Sequence, residues 1–274
     1  MQWYDIEVTL PPPLLESTYN FLWSYVNGLK VKKTNNNFIV KAYLFSPSPH
    51  DLLKRLNNFL RIMGKSCQVK HSPPVANPAC LSSNSEFLIV PSPAPYKPPF
   101  DLPIFLQRGK SFGIGSHPCT IYCLQALKDI FIRESAGNIK QILDAGTGTG
   151  ILSIAAAKLG AKDVTGVEIN YESIKEAQEN VNLNGVTKEI KIMHCSVTEI
   201  KGKFNLILAN LYGTLLIEIA TSLIQRLSPR GRLILGGMNV PHEKAVISTF
   251  TQHGLKTCSF YRDEEWSVAV LQGI

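Results

Sequence analysis

The sequence lacks several features that would point to a secreted, membrane-spanning or metal-binding protein. Its 274 residues contain six cysteines but no C-x-x-C pair, and the cysteines form no zinc-like cluster with the six histidines. The first residues show no charged and apolar leader, and the most apolar long window, 204–224, is interrupted by two asparagines and a glutamate. We therefore expect a cytoplasmic protein with free thiols, no metal site and no membrane segment.

The fingerprint of a dinucleotide-binding loop is also missing, although the chain has a glycine-rich stretch of that general kind. Residues 141–150 read QILDAGTGTG, and the position three after Gly148 is Ile151, so the spacing G-x-G-x-x-G fails. The apolar pair before the glycines is typical of a buried parallel strand, and the small apolar residues after them predict a helix. The stretch therefore predicts a strand, a glycine turn and a helix, without support for pyrophosphate binding.

The pattern that remains, D-x-G-x-G-x-G, favours a different ligand. Asp144 directly precedes Gly146 and Gly148, where its carboxylate would repel a phosphate and attract the cationic amino group of a ligand. A second apolar strand ends in Glu168, 24 residues after Asp144, at the distance from which an acid can accept hydrogen bonds from ribose hydroxyls. These residues predict a site for a nucleoside that carries an amino acid. The alternative is a glycine turn and an exposed acid without a ligand.

The first 71 residues have a different organisation from the rest. Alternating and helical patterns occur there in the order β-α-β-β-α-β, which is the ferredoxin-like arrangement, with the first helix predicted over 14–29. This segment carries nine Lys or Arg against four Asp or Glu, which is most of the net charge of +7. Such a balance suggests an acidic or RNA-associated partner, and solvated surface lysines are the alternative explanation.

A proline-rich segment separates this small domain from the remainder. Nine of the 17 prolines lie between residues 72 and 103, interrupted by one apolar stretch, 87–90, that predicts a single strand. We therefore expect a ferredoxin-like domain over 1–71, a linker over 72–110 and a larger α/β domain over 111–274.

Other candidate residues lie near predicted helix starts and strand ends in the larger domain. Thr120 is the last residue of SFGIGSHPCT, at the start of a helix, and Asn210 ends the fourth strand, just before a helix predicted over 211–227. Ligands of open parallel sheets bind beyond the carboxyl ends of strands, so Asn210 is a binding candidate. A helix-capping role is the alternative for both Thr120 and Asn210. Cys195 and Ser196, after the third strand, either contact the edge of an adenine or form a plain turn.

Taken together, these segments resemble one known family. FGIGSHPCT, LDAGTGTGILSIAAAKLGA, GVEIN, FNLILANLY and the closing EEW occur in the order, and at roughly the spacing, of the ribosomal protein L11 methyltransferase family. The glycine motif is common to all class I methyltransferases, whereas F-G-x-G-x-H-P-x-T combined with A-N-L-Y is more specific. The sequence departs from the family at Cys119, where a first threonine is usual, and in its divergent N-terminal domain.

The resemblance implies a fold, a cofactor and a partner. The expected fold is α/β, a mostly parallel Rossmann-like sheet of the class I methyltransferases with a small N-terminal ferredoxin-like α+β domain. The cofactor would be S-adenosylmethionine, and the substrate would be a ribosomal protein of the large subunit, with ribosomal RNA nearby and the enzyme acting as a monomer. The resemblance places S-adenosylmethionine against six residues: Thr120, Asp144, Gly146, Gly148, Glu168 and Asn210.

The implied reaction is displacement at the sulfonium methyl by an amine of the target protein, a lysine side chain or an α-amino group. Positioning would supply most of the acceleration, so we expect no single catalytic base. Glutamine and nucleic-acid amino methyltransferases are disfavoured, because residues 210–213 read NLYG and lack the prolines of their N/D-P-P-Y/F motif. Another protein or RNA target, or an inactive nucleoside-binding protein associated with the ribosome, remains the alternative.

Overall fold

The computed structural model describes residues 2–64, 67–74, 87–92, 102–107, 109, 111, 113–134 and 139–273. The chain forms two compact units, Met1–Arg108 and Gly109–Ile274. Each has a sheet of its own, of six strands in the first unit and seven in the second.

The first unit begins with the predicted β-α-β-β-α-β order. Its elements are β1 (Gln2–Leu10), α1 (Leu15–Trp23), β2 (Gly28–Lys33), β3 (Phe38–Ser46), α2 (His50–Ile62) and β4 (Gln68–His71). These four strands pair antiparallel in the order β4-β1-β3-β2, which confirms the ferredoxin-like prediction. Alternate residues of β1 pack into the core, and Ile6 and Val8 are completely buried.

Helix α1 ends earlier than the pattern over 14–29 predicts. It stops at Trp23, and Asn27 instead joins β3, its backbone N–H donating to Tyr43 O at 2.7 Å. The Asn27 side-chain oxygen also accepts from Phe45 N at 2.7 Å. The apolar residues that extend the helical pattern are therefore buried by a turn and the start of β2, which local periodicity cannot distinguish from a longer helix.

The proline-rich segment contributes two strands, where the sequence predicts one. β5 (Phe87–Ser92) pairs antiparallel with β2, and β6 (Leu102–Gln107) pairs parallel with β5 at the edge of the first sheet. Pro103 is the second residue of β6, and proline is tolerated in edge strands because one side makes no ladder hydrogen bonds. Most of the remaining predicted linker lies outside the described residues.

The second unit is an α/β sheet flanked by helices. Its first elements are α3 (Pro118–Arg133), β7 (Ile142–Ala145), α4 (Ile151–Lys158), β8 (Val164–Glu168), α5 (Tyr171–Leu183), β9 (Ile190–His194) and β10 (Phe204–Asn210). The later ones are α6 (Gly213–Glu218), α7 (Ala220–Arg226), β11 (Leu227–Asn239), α8 (Val240–Gln252), β12 (Lys256–Arg262) and β13 (Trp266–Gln272).

The seven strands follow the order β12-β13-β11-β10-β7-β8-β9. β11, β10, β7, β8 and β9 pair in parallel, and β13 runs antiparallel to both of its neighbours. This mostly parallel sheet with a closing antiparallel strand confirms the predicted fold class. The helix predicted over 211–227 is interrupted at Ile219, which is the cap of both α6 and α7.

The core of the second unit lies against the central strands. Ile207 on β10 and Leu233 on β11 are completely buried and pack with Val246 and Phe250 of α8. None of the helices in the described part of the chain is long and apolar enough to cross a membrane.

Shortening a buried side chain of β10 should destabilise the second unit. We expect Ile207→Ala to lower the free energy of unfolding by about 2–5 kcal/mol, because it removes methyl groups and leaves a cavity. The matched control is Ile132→Ala, at a side chain that is 70% exposed, which should change stability by less than about 0.5 kcal/mol. Urea unfolding of the full chain measures both, and equal effects would show that β10 is not part of the core.

Candidate functional site

The candidate residues come together at the carboxyl edge of the second sheet. β10, β7 and β8 are neighbours in the sheet, and near their carboxyl ends lie Asn210, Asp144 and Glu168, respectively. The loop 146–150 connects β7 to α4 at this edge. The structure thus brings together side chains that are separated by up to 66 positions in the sequence.

The glycine loop has a backbone that other residues would adopt only with strain. Gly146, Gly148 and Gly150 all have positive φ values, of 73°, 54° and 82°. A Cβ atom on Gly146 would lie 2.5 Å from Cδ2 of Leu211, which is closer than two carbon atoms can approach. The N–H groups of Gly146 and Thr147 both donate to Val167 O, at 2.9 and 3.0 Å, so the loop is held against the end of β8.

The side chain of Asp144 is hydrogen-bonded to the glycine loop and to α4. This side chain is buried, and its Oδ2 accepts hydrogen bonds from Thr147 Oγ1 at 2.7 Å, Ser153 Oγ at 2.7 Å and Ser153 N at 3.1 Å. Burial raises the pKa of the Asp144 carboxyl, and the hydrogen bonds from Thr147 and Ser153 oppose that shift by stabilising the charged form. One carboxylate oxygen therefore connects the strand, the loop and the first turn of α4.

Glu168 lies on the solvent side of the same loop and is only partly buried. Its Oε2 accepts from Gly148 N at 3.2 Å, and its Oε1 accepts from Ile169 N at 2.8 Å and Asn170 N at 2.9 Å. These bonds fix the carboxylate beside the glycine loop. A carboxylate has about four lone-pair positions, so it can still accept from a ligand hydroxyl.

Thr120 and Asn210 form a polar pair between α3 and β10. Thr120 is completely buried, and its Oγ1 accepts a hydrogen bond from Asn210 Nδ2 at 3.2 Å. The other side-chain atom of Asn210, Oδ1, is buried and has no hydrogen-bond partner. A buried acceptor without a donor costs free energy, so this oxygen is suited to a donor from a bound molecule.

The segment before α3 lies beside the glycine loop. Thr149 Oγ1 donates to Gly113 O at 2.7 Å, and the Nδ1 atom of His117 accepts from Cys119 N at 3.2 Å, which caps α3. Burial lowers the pKa of His117 to about 4, an effect that Asp263 partly opposes. The sequence predicts a helix start here, and in the structure helix α3 begins at Pro118. Phe112 of the same motif lies outside the described residues.

Two tyrosine–aspartate hydrogen bonds hold α3 against the C-terminal hairpin. Tyr122 on α3 donates to Asp263 Oδ2 at 2.9 Å, and Tyr261 on β12 donates to Asp129 Oδ2 on α3 at 2.7 Å. The Trp266 ring lies 4.5 Å from the His117 ring in an edge-to-face contact. Sequence reasoning did not identify these partners, because 141 positions separate Tyr122 from Asp263 and only the nearby EEW motif indicated the region.

Cys195 and Ser196, the proposed adenine-edge pair, lie in a local turn. Cys195 N donates to Glu168 O at 3.1 Å, and Ser196 N donates to Glu199 Oε2 at 2.7 Å. These contacts place Cys195 next to the backbone of Glu168, and they are also the contacts that a plain turn requires.

Comparison with known proteins gives one consistent result. Residues 78–273 match the family model described as Ribosomal protein L11 methyltransferase (PrmA). Two curated relatives carry the name Ribosomal protein L11 methyltransferase. The protein of Geobacter metallireducens is 39% identical over 188 residues, covering 68% of this chain and 60% of the relative. The protein of Geotalea daltonii is 38% identical over 175 residues, covering 62% and 56%.

A solved structure extends the similarity. The ribosomal protein L11 methylase of Lactobacillus delbrueckii subsp. bulgaricus is 27% identical, has a TM-score of 0.61 and covers 70% of this chain and 96% of its own. The chain spans about 60% of the length of the first curated relative. The family match begins at residue 78, so it includes all six predicted site residues and leaves out the whole ferredoxin-like domain of residues 1–71.

Adding a methyl group at Gly146 should damage the loop more than adding one at a glycine with free space around it. Gly146→Ala has to adopt a φ of 73° and also displace Leu211, whereas Gly185→Ala has to adopt a similar φ of 67° with no atom within 4 Å. We expect Gly185→Ala to cost about 1–2 kcal/mol of unfolding free energy and Gly146→Ala clearly more. In urea unfolding, Leu211→Ala should recover part of the Gly146→Ala loss, and strictly additive losses would contradict the contact.

The buried histidine should make stability sensitive to acid. An unfolded histidine titrates near pH 6.5 and His117 near pH 4, so the folded state loses stability as pH falls from about 6.5 towards about 4. At about pH 5 the loss is about 2 kcal/mol relative to neutral pH. His117→Asn keeps a side chain that can cap α3 and should abolish this part of the pH dependence in urea unfolding. An unchanged pH profile in the variant would refute the assignment.

Proposed function

Because the chain belongs to the ribosomal protein L11 methyltransferase family, we propose that it transfers methyl groups from S-adenosylmethionine to amines of a large-subunit ribosomal protein. The observation that carries this proposal is the arrangement at the carboxyl edge. A glycine loop braced by Asp144, the carboxylate of Glu168 and the unpaired oxygen of Asn210 lie at the ends of adjacent strands.

The residues fit two polar parts of the methyl donor, its ribose hydroxyls and its ammonium group. Glu168 would accept hydrogen bonds from the ribose hydroxyls, since its carboxylate is partly exposed beside the loop. None of the described hydrogen bonds uses Asp144 Oδ1, so this oxygen would attract the ammonium of the methionine part. The positive φ of Gly146 and Gly148 leaves the loop surface free of side chains where the ligand would lie.

Asn210 would hold the amine that accepts the methyl group. Its Nδ2 is already bonded to Thr120, which fixes the orientation of the amide and directs the unpaired Oδ1 towards a donor. An amine N–H is such a donor, and an accepted hydrogen bond would point the nitrogen lone pair away from Asn210.

The bound donor would supply an already activated methyl group on a sulfonium. The chain would then have to align the amine with that methyl group and keep the geometry fixed, which accounts for most of the acceleration in such reactions. The rigid supports of Thr120 and Asn210 suit this role, because α3 is anchored at both Tyr122 and Asp129. The proposal requires no side chain to act as a general base.

The carboxyl edge also suits a cationic protein as substrate. The β12–β13 hairpin places Asp263, Glu264 and Glu265 at this edge, because β13 begins beside the end of β11. Two exposed tyrosines, Tyr171 (58% exposed) and Tyr212 (73% exposed), lie three and two residues after the ends of β8 and β10, respectively. Carboxylates would attract lysine side chains, and exposed aromatic rings are common in protein interfaces.

The remaining parts of the proposal follow from the family. The ferredoxin-like unit would recognise the target protein, and the reaction would take place in the cytoplasm, where ribosomal proteins are made and ribosomal RNA is close. The enzyme would act as a monomer.

A transfer assay tests the function directly. Purified full-length protein is incubated with a mixture of ribosomal proteins and S-adenosylmethionine that carries a labelled methyl group, and the labelled protein is identified by mass spectrometry. We expect label on lysine or α-amino nitrogens of one large-subunit protein, the L11 homologue. Label on RNA or on an unrelated protein would replace the proposed target, and no label at all would contradict the function.

Removing the amide of Asn210 should impair transfer more than folding. We expect Asn210→Ala to lower kcat on the order of a hundredfold, because the amine would lose the oxygen that aligns it. The matched control is Asn182→Ala, at an exposed position of α5, which should retain wild-type activity. A normal kcat in Asn210→Ala would remove this residue from the proposed mechanism.

A further inference from the structure

The small net charge of the second unit conceals a strong separation of charge. Five described segments precede or form the amino ends of β7, β8, β9, β10 and β11, and together they form what we call the basic edge: 133–134 with 139–141, 158–163, 185–191, 199–203 and 226–232. They contain eleven Lys or Arg against four Asp or Glu, a net charge of +7. The rest of residues 109–274 contains six against eleven, a net charge of −5. The amino edge is therefore positive, and the excess of acids in this unit lies outside it.

The four acids of the basic edge already have local partners. Asp163 accepts from Gln141 Nε2 at 3.3 Å, and Glu199 accepts from Ser196 N at 2.7 Å. Glu189 pairs with Lys162 at 4.0 Å, and Glu134 pairs with the arginine at position 232. Two of the four carboxylates thus pair with a cation of the edge, and the net charge of +7 already includes all four acids.

Several cations of the basic edge, in contrast, point to solvent. Four lysines are exposed, and their side chains take part in none of the described hydrogen bonds or ion pairs: Lys140, Lys188, Lys191 and Lys201. The amino ends of five strands extend over roughly 20 Å, at the usual spacing between neighbouring strands. The exposed charges are thus spread across a broad surface instead of being concentrated in one pocket.

Arg230 is held in an unusual conformation at this edge. It is the one residue other than glycine in the described part of the chain with a positive φ, of 58°. Its backbone O accepts from Gln272 Nε2 at 3.3 Å, and its side chain is exposed. Glycine adopts this conformation without strain, whereas arginine adopts it at a cost in conformational free energy. A function of the arginine side chain would explain this cost.

Two grooves lie along the basic edge. One has a volume of about 200 Å³ and is lined by Asn205, Arg230 and Arg232, among others. The other has a volume of about 490 Å³ and is lined by Gln141 and Lys201, among others. A residue of each groove contacts the other, since Asn205 N donates to Gln141 O at 2.9 Å and Gln141 N donates to Asn205 Oδ1 at 3.1 Å.

We propose that the basic edge binds the phosphate backbone of RNA. A partner that contacts many separated cations across roughly 20 Å must itself carry repeated negative charge, as a nucleic-acid backbone does. Near the described part of this edge, the exposed large apolar side chains are those of Ile132 and Leu183, whereas at least five exposed cations lie there. The edge thus has the polar, positive character of a nucleic-acid interface and not the character of a protein interface.

The two edges would then serve different partners. The carboxyl edge would bind the cationic protein at the candidate site. The basic edge, at the opposite ends of the strands, would bind RNA. RNA binding does not depend on methyl transfer, so this inference and the proposed function can fail separately.

Fluorescence anisotropy with the full chain tests the inference. The probe is a labelled single-stranded RNA of mixed sequence, about 20 nucleotides long, which is sufficient to cross the edge. Four exposed cations of the basic edge are removed together in one variant: Lys140→Gln, Lys188→Gln, Lys201→Gln and Arg230→Gly. The glycine is chosen because it relieves the strained φ, so this change should not impair folding.

The control removes equal charge from the first unit, which is also basic. Four exposed cations are replaced there: Lys32→Gln, Lys54→Gln, Arg61→Gln and Lys70→Gln. The two variants have the same net charge, so a difference between them reports the location of the RNA site.

We expect the edge variant to bind RNA more weakly by on the order of tenfold or more. The slope of log K against log salt concentration should become shallower by about 3, because four phosphate contacts are lost. The first-unit variant should bind nearly as well as the wild type, and the edge variant should keep its methyl-transfer rate on free protein. The inference is overturned if the wild type binds no RNA, or if the first-unit variant loses as much affinity as the edge variant. It is also overturned if poly-glutamate competes as well as RNA at equal charge, because the edge would then take acidic proteins.

Discussion

The buried carboxylate of Asp144 is the interaction on which the candidate site depends. Its Oδ2 accepts hydrogen bonds from Thr147 in the loop and from the hydroxyl and backbone N–H of Ser153 in α4. A charged group in the interior is tolerated only with such partners, and it makes the loop, the strand and the helix a single rigid support. The sequence predicts a carboxylate that faces the ligand; the structure adds that this residue first shapes the loop.

Much of the fold can be predicted from the sequence where the local signals agree. The apolar pair Ile142 and Leu143, the three glycines and the small residues of α4 specify β7, the loop and the helix, and the structure has all three. The end of α1 and the strand β6 could not be predicted, because pairing with distant strands decides them and local periodicity does not. For the same reason, Asp263 became visible as a partner of Tyr122 only in three dimensions.

Charge is organised in a way that composition conceals. The sequence places most of the excess positive charge in the first 71 residues, and this count is correct. In the second unit, however, the amino ends of the parallel strands all lie at one edge of the sheet, and their carboxyl ends all lie at the other. Lysines that are scattered along the chain before successive strands therefore gather on one surface. The acids of the C-terminal hairpin lie at the opposite edge, where Asn210 and Glu168 also end their strands.

The central claim is that the Asp144-braced loop and Glu168 form a binding site for the methyl donor. Calorimetric titration of the full chain with S-adenosylhomocysteine tests this most directly, because this product keeps the ammonium, ribose and adenine groups. The account predicts one binding site per chain, and affinity weaker by on the order of tenfold or more in Glu168→Gln, which loses a charged acceptor for the ribose hydroxyls. No heat of binding from a folded wild-type chain at saturating ligand, or equal affinity in Glu168→Gln, would contradict the account.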